Sequence, residues 1–126
     1  MSNISIKGII LGVIAILVID IISGIAMIPI FASNMSEESI EKIFLETGPL
    51  IYSLILGTLS TVIGGFIAAN IGRQAAYKNA AILGVIGLFF GVLMSEGLPL
   101  WFNIIGFVTV IPASLIGGYF AIRKNA

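Results

Sequence analysis

Apolar residues run almost unbroken through four stretches of this chain, and polar residues collect between them. The stretches cover residues 9–31, 49–72, 80–94 and 99–122. A helix needs about 20 mostly apolar residues to cross a bilayer core. The pattern therefore predicts an all-α integral membrane four-helix bundle, one domain over residues 1–126. The first stretch exceeds the apolar region of a secretory signal, which runs about 7–15 residues, and it carries an acid, Asp20. It is expected to remain as the first span.

Helix-boundary signals lie between the spans. In the polar segment 33–47, Ser36 precedes Glu37 and Glu38: a capping oxygen, then acids near the positive end of the helix dipole. Ile40, Ile43 and Phe44 follow on one face, predicting a short amphipathic helix at the membrane surface. Pro49 and Pro99 open the second and fourth spans, where a missing N–H is tolerated. Residues 73–79 read as a short positive linker, and Ser95-Glu96-Gly97 as a tight connection with Glu96 exposed. Pro112 falls near the middle of the fourth span. Thr109, three residues earlier, is placed to satisfy a backbone group that the proline frees.

Helices in lipid gain little hydrophobic free energy on meeting, so small residues that permit close approach mark their contact faces. Each span carries such residues three or four apart, which keeps them on one face. Gly57, Gly64, Gly84, Gly87, Gly91 and Gly117 are the expected packing positions. The same faces suit a substrate path or a dimer seam, and spacing does not separate these uses. Gly64-Gly65-Phe66-Ile67-Ala68 in the second span is echoed by Gly117-Gly118-Tyr119-Phe120-Ala121 in the fourth. Both spans run in the same direction, so the echo fits either a parallel duplication or chance.

Composition agrees with a membrane protein: 59% of residues are hydrophobic and 10% charged, against about 25% charged in soluble domains. There are no cysteines and no histidines. That removes disulfides, thiolate chemistry, and the commonest general base and metal ligand. No cofactor, metal or nucleic-acid partner is expected. The net charge is zero, but the charges are sorted. Lys7, Arg73, Lys78, Arg123 and Lys124 fall on one side of the spans; Glu37, Glu38, Glu41, Glu46 and Glu96 fall on the other, with Lys42 the sole base there. By the positive-inside rule both termini are cytoplasmic. Tyr52 and Trp101 are placed as outer interfacial anchors, Tyr77 and Tyr119 as inner ones.

The Gly-Gly-aromatic-x-Ala segments, with Arg73 closing the second span, resemble uncharacterised families of small four-helix bacterial membrane proteins. The resemblance covers the second to fourth spans and implies topology and a bacterial inner membrane, with no mechanism. Small multidrug exporters are similar in length and in bearing an acid in the first span, here Asp20; the long acidic outer segment and firm charge bias depart from them. Fluoride channels are similar in length, but their phenylalanine-rich break in the third helix is not found here.

Enzyme signatures are absent from the sequence: there is no HExxH, no second intramembrane aspartate and no Ser/His arrangement. Hydroxyls within the spans, such as Ser53, Thr58, Ser60, Thr61 and Thr109, are expected to bond preceding carbonyls or to link helices. Asp20, near the bilayer midplane with Ser23 beside it, is the candidate ion, proton or substrate site. A charged acid there costs on the order of 2.5–3.5 kcal/mol, and no base within a span neutralises it. Asp20 is expected to point into the bundle, either protonated or facing a wet cavity. Two functions follow. One is a transporter or channel subunit that uses Asp20. The other is a structural or accessory subunit, held to itself or to another membrane protein through its small-residue faces. A cavity reaching Asp20 favours the first; a dry, filled bundle favours the second.

Overall fold

A computed structural model describes residues 4–31, 36–43, 46–93 and 99–125. Five α-helices fill them: α1 (Ile6–Phe31), α2 (Glu37–Ile43), α3 (Thr47–Ile71), α4 (Ala76–Leu93) and α5 (Leu100–Asn125). A single 3₁₀ turn, Arg73–Ala75, joins α3 to α4. All but α2 are long and apolar enough to cross a membrane, α4 together with its preceding turn. The chain is an all-α four-helix bundle of the multi-pass membrane type. α3 is central: it packs most extensively on α5 and, across its other side, on α1. α4 lies against α5 and α3, and touches α1 only lightly. Lys7, Arg73, Lys78, Arg123 and Lys124 all fall at one end of the bundle, here called the basic end.

Local chemistry sets the helix ends. Ser5 caps α1, its hydroxyl accepting the Gly8 N–H at 3.0 Å. Ser36 caps α2 by accepting the Ser39 N–H at 3.2 Å. The side chains of Ile40 and Ile43, together with Phe44, lie outside the described residues, as does the Ser95-Glu96-Gly97 connection. α5 begins directly after Pro99 and runs through Pro112. Thr109 Oγ1 bonds the carbonyls of Ile105 (2.9 Å) and Gly106 (3.1 Å). It does not reach Val108, whose carbonyl the proline leaves without its usual donor.

α4 starts at Ala76, earlier than the polarity of residues 73–79 suggests. Asn79 is the reason. It is fully buried in the first turns of α4. Its amide donates to the carbonyls of Gly72 (3.1 Å) and Ala75 (3.0 Å), and its oxygen accepts the Ser5 N–H at 2.7 Å. One side chain thus joins the start of α1, the end of α3 and the start of α4. A helix can enter the core here because its polar residue is satisfied inside the protein.

The basic half is packed backbone to backbone. A Cβ added at Gly12 would lie 2.6 Å from the Gly64 carbonyl oxygen, and one at Gly64 would lie 3.0 Å from the Gly12 carbonyl oxygen, so α1 and α3 meet there. At Gly65 an added Cβ would run into the backbone of Ser114, and at Gly117 into the Val62 carbonyl and the Phe66 nitrogen. At Gly118 it would come within 3.0 Å of Ala80. Each double glycine therefore serves two neighbours. Gly64 faces α1 and Gly65 faces α5; Gly117 faces α3 and Gly118 faces α4. At Gly84 an added Cβ would strike the Ser114 hydroxyl, which itself donates to the Ile111 carbonyl at 2.9 Å. Ala68, Ala69, Ala80, Ala113 and Ala121 fill the remaining space.

Candidate functional site

Toward the other end the helices separate. The contacts between α1 and α3 step upward in one helix and downward in the other. Beyond Gly12 and Gly64, Asp20 meets Ser60, Ser23 meets Tyr52, and Met27 meets Ser53. Side chains do the holding here: the Tyr52 hydroxyl donates to the Ser23 carbonyl at 3.2 Å, and the Tyr52 and Phe31 rings stack edge to face at 5.6 Å. α4 and α5 do not close on this pair. A cavity of about 270 Å³ remains between α1, α3, α4 and α5.

Its wall is mostly apolar: Val13, Ile16 and Leu17 from α1, Leu54 from α3, Leu83, Ile86 and Phe90 from α4, Phe102 and Val110 from α5. Leu83, fully buried against Gly12, closes it toward the basic end. Leu17 and Phe90 line it and are also exposed, so it opens sideways between α1 and α4. Gly57, Gly87, Gly91 and Gly106 line it too. An added Cβ would meet nothing within 4 Å at Gly57, and only ordinary van der Waals neighbours at the other three. These glycines leave space open where those at the basic end close it.

Asp20 stands in this wall and in that of a second cavity of about 290 Å³, which Ser23, Gly24 and Met27 line from α1. Ser53 and Gly57 also border both. Asp20 does not sit deep in the bundle. α1 packs mainly on one side, so Asp20 lies at the seam with α3, largely exposed as a residue, with one oxygen turned inward. That oxygen, Oδ1, is 2.8 Å from Oγ of the fully buried Ser60. Ser60 Oγ is also 2.8 Å from the Gly57 carbonyl oxygen, and Thr61 Oγ1 donates to that same carbonyl at 2.8 Å.

A hydroxyl has one hydrogen to give. With Asp20 ionised, Ser60 gives it to the carboxylate. With Asp20 protonated, the acid donates to Ser60, and Ser60 donates to Gly57. Both states keep the contact, so the seam holds either one without rearranging. Among the described residues no group of three His, Cys, Asp or Glu side chains is placed to hold a metal.

Asp20 and Ser23 are thus on one cavity border, Gly57, Gly87 and Gly91 line the cavity between the four spans, and Gly64, Gly84 and Gly117 lie in the packed half. What spacing in single spans did not show is that Ser60 meets Asp20, and that Ser53, Thr61 and Thr109 share a cavity lining with it. Pairing α1 antiparallel to α3 from Gly12 and Gly64 brings Asp20 level with Leu56, about one helical turn from Ser60, and the two polar side chains meet across that turn.

The fold and site define a small multi-pass helical membrane protein with an apolar interhelical cavity bordered by one acid. Comparison with protein-family models, curated proteins and solved structures finds no match.

Proposed function

We propose that this chain is a small transporter or channel subunit whose cargo occupies the interhelical cavity and meets Asp20. The observation that carries the reading is the position of Asp20. It stands in the wall of an open cavity, with only one oxygen engaged by another helix. An accessory subunit calls for a filled bundle, and the cavity supports the first reading over that one. Asp20 is the group that exchanges a proton for the arriving cargo, since its contact with Ser60 serves both protonation states. The five bases at one end support a cytoplasmic position for both termini in a bacterial inner membrane. The cavity then faces the outer half of the bilayer. Catalysis is no part of this reading.

The chain has no cysteine, so single cysteines test the reading directly. Thr58→Cys lines the cavity, whereas Ala69→Cys lies in the packed half. A small thiol reagent added from outside is expected to label the first and spare the second. Protection of both would overturn the open cavity. Outside labelling of Lys78→Cys but not Lys42→Cys would reverse the orientation.

A further inference from the structure

The polar groups of the cavity between the four spans name the kind of ligand it accepts. Of its four lining hydroxyls three have already given away their hydrogen, and the fourth, Thr58, has no acceptor among the described residues. Thr61 gives it to the Gly57 carbonyl, Thr109 to the carbonyls of Ile105 and Gly106, and Ser53 to the Met27 sulfur at 3.7 Å. Ser60 behind them gives its hydrogen to Gly57 or to Asp20. Such hydroxyls present lone pairs only. Asp20 adds a second carboxyl oxygen; among the described residues its bond to another helix is made through Oδ1, and neither lysine nor arginine lines the cavity. The polar lining therefore mostly accepts hydrogen bonds, with Thr58 its one uncommitted donor, and among the described residues its single ionisable group is an acid. The rest of the wall is aliphatic and aromatic.

We propose that the cavity binds a monovalent organic ammonium: a compact apolar body bearing N–H donors. The ammonium meets Asp20 and the acceptor oxygens of Thr61 and Ser53, while the body lies against Ile16, Ile86 and Phe90. A bare metal ion lacks the body that such a wall rewards. An anion meets the Asp20 carboxyl and at most the one hydroxyl hydrogen of Thr58. A neutral alcohol brings one donor and no charge, and a quaternary ammonium brings charge and no donor. Gly57 sets the size limit, because its missing side chain is open space beside Asp20. The inference rests on the reading of the cavity as a cargo site and adds the class of cargo.

The test uses the full chain in lipid nanodiscs, with binding read by calorimetry and empty nanodiscs subtracted. Three probes share one body: benzylammonium, benzyl alcohol and benzyltrimethylammonium. Benzylammonium is expected to bind about tenfold tighter than either of the others, as a charge-assisted hydrogen bond implies. Asp20→Asn is expected to erase that preference. Gly57→Leu is expected to abolish binding of all three. Gly57→Ala, which meets no neighbouring atom, is expected to weaken binding with an unchanged unfolding midpoint, which separates occlusion from misfolding. Equal binding of the three probes, abolished by Gly57→Leu, would overturn the ammonium assignment and leave the cargo site standing. No binding of any probe to a chain whose Thr58→Cys variant is labelled would also overturn the assignment alone. Absence of both binding and labelling would overturn the assignment and the function beneath it.

Discussion

Gly57 and Gly64 lie about two helical turns apart on one face of α3, and they do opposite things. Gly64 lets the backbone of α1 come so near that an added Cβ would lie 3.0 Å from the Gly12 carbonyl oxygen. Gly57 faces nothing within 4 Å. The same division holds for the whole bundle. Gly12, Gly65, Gly84 and Gly117 close the basic half, whereas Gly87, Gly91 and Gly106 widen the other. In lipid a small residue is favoured wherever two backbones touch. It is equally suited to a place where a third body must fit. Side-chain size alone describes both, and only the distance to the neighbouring helix tells them apart.

Substitutions that add volume break or sharpen this contrast. The largest effect is expected from Gly117→Leu. The new side chain meets the backbone of Val62 and Phe66, which has no rotamer to yield. The loss should exceed the about 1–3 kcal/mol usual for overpacking, and size-exclusion chromatography in detergent should show loss of the folded peak. A folded Gly117→Leu protein would erase the distinction between the halves.

Asn79→Ala comes next. It removes three hydrogen bonds from a fully buried position; the Ser5 N–H loses this acceptor, while the Gly72 carbonyl keeps the Ala75 N–H. A buried group left without its partner costs about 1–3 kcal/mol, so the thermal midpoint should fall clearly. An unchanged midpoint would mean that the basic half does not rely on this side chain.

Tyr52→Phe probes the other half, where the link to Ser23 is a single hydrogen bond. Such bonds in membrane bundles average about 0.6 kcal/mol, so a small fall is expected in the same measurement. A drop as large as that of Asn79→Ala would show the open half to be held as firmly as the closed one. The smallest effect belongs to Gly57→Ala, expected within about 0.5 kcal/mol of the parent. Matching destabilisation by Gly57→Ala and Gly65→Ala would defeat the comparison from its other side.

The four spans were legible because continuous apolar runs leave a chain few alternatives, and Ser36 announced α2 by the chemistry of its cap. The pairing of polar groups across helices was less so. Asn79 read as linker because an amide among Tyr77 and Lys78 looks like a solvated turn; its burial depends on carbonyls at Gly72 and Ala75 and on an N–H more than seventy residues away. Asp20 read as inward-pointing because its neighbours are small. The structure places it at the edge of α1 and α3, since α1 is covered mainly on one side. Ser60 looks like any hydroxyl in a span until the fold brings its side chain to Asp20. Periodicity gives a face, and not what stands opposite it.

The Asn79 link also has a consequence for the order in which the protein is made. Ser5 and Gly72 both precede Asn79 in the chain, so α1 and α3 are synthesised before the side chain that joins their ends exists. The first hairpin has Gly12 against Gly64 and Gly8 against Ala68 to bring it together, but the hydrogen bonds that link its end wait for Asn79. Asn79 is therefore a completion signal. The nascent bundle has its basic end fastened only once the third span has arrived, and a chain arrested after Ala75 lacks the fastening entirely.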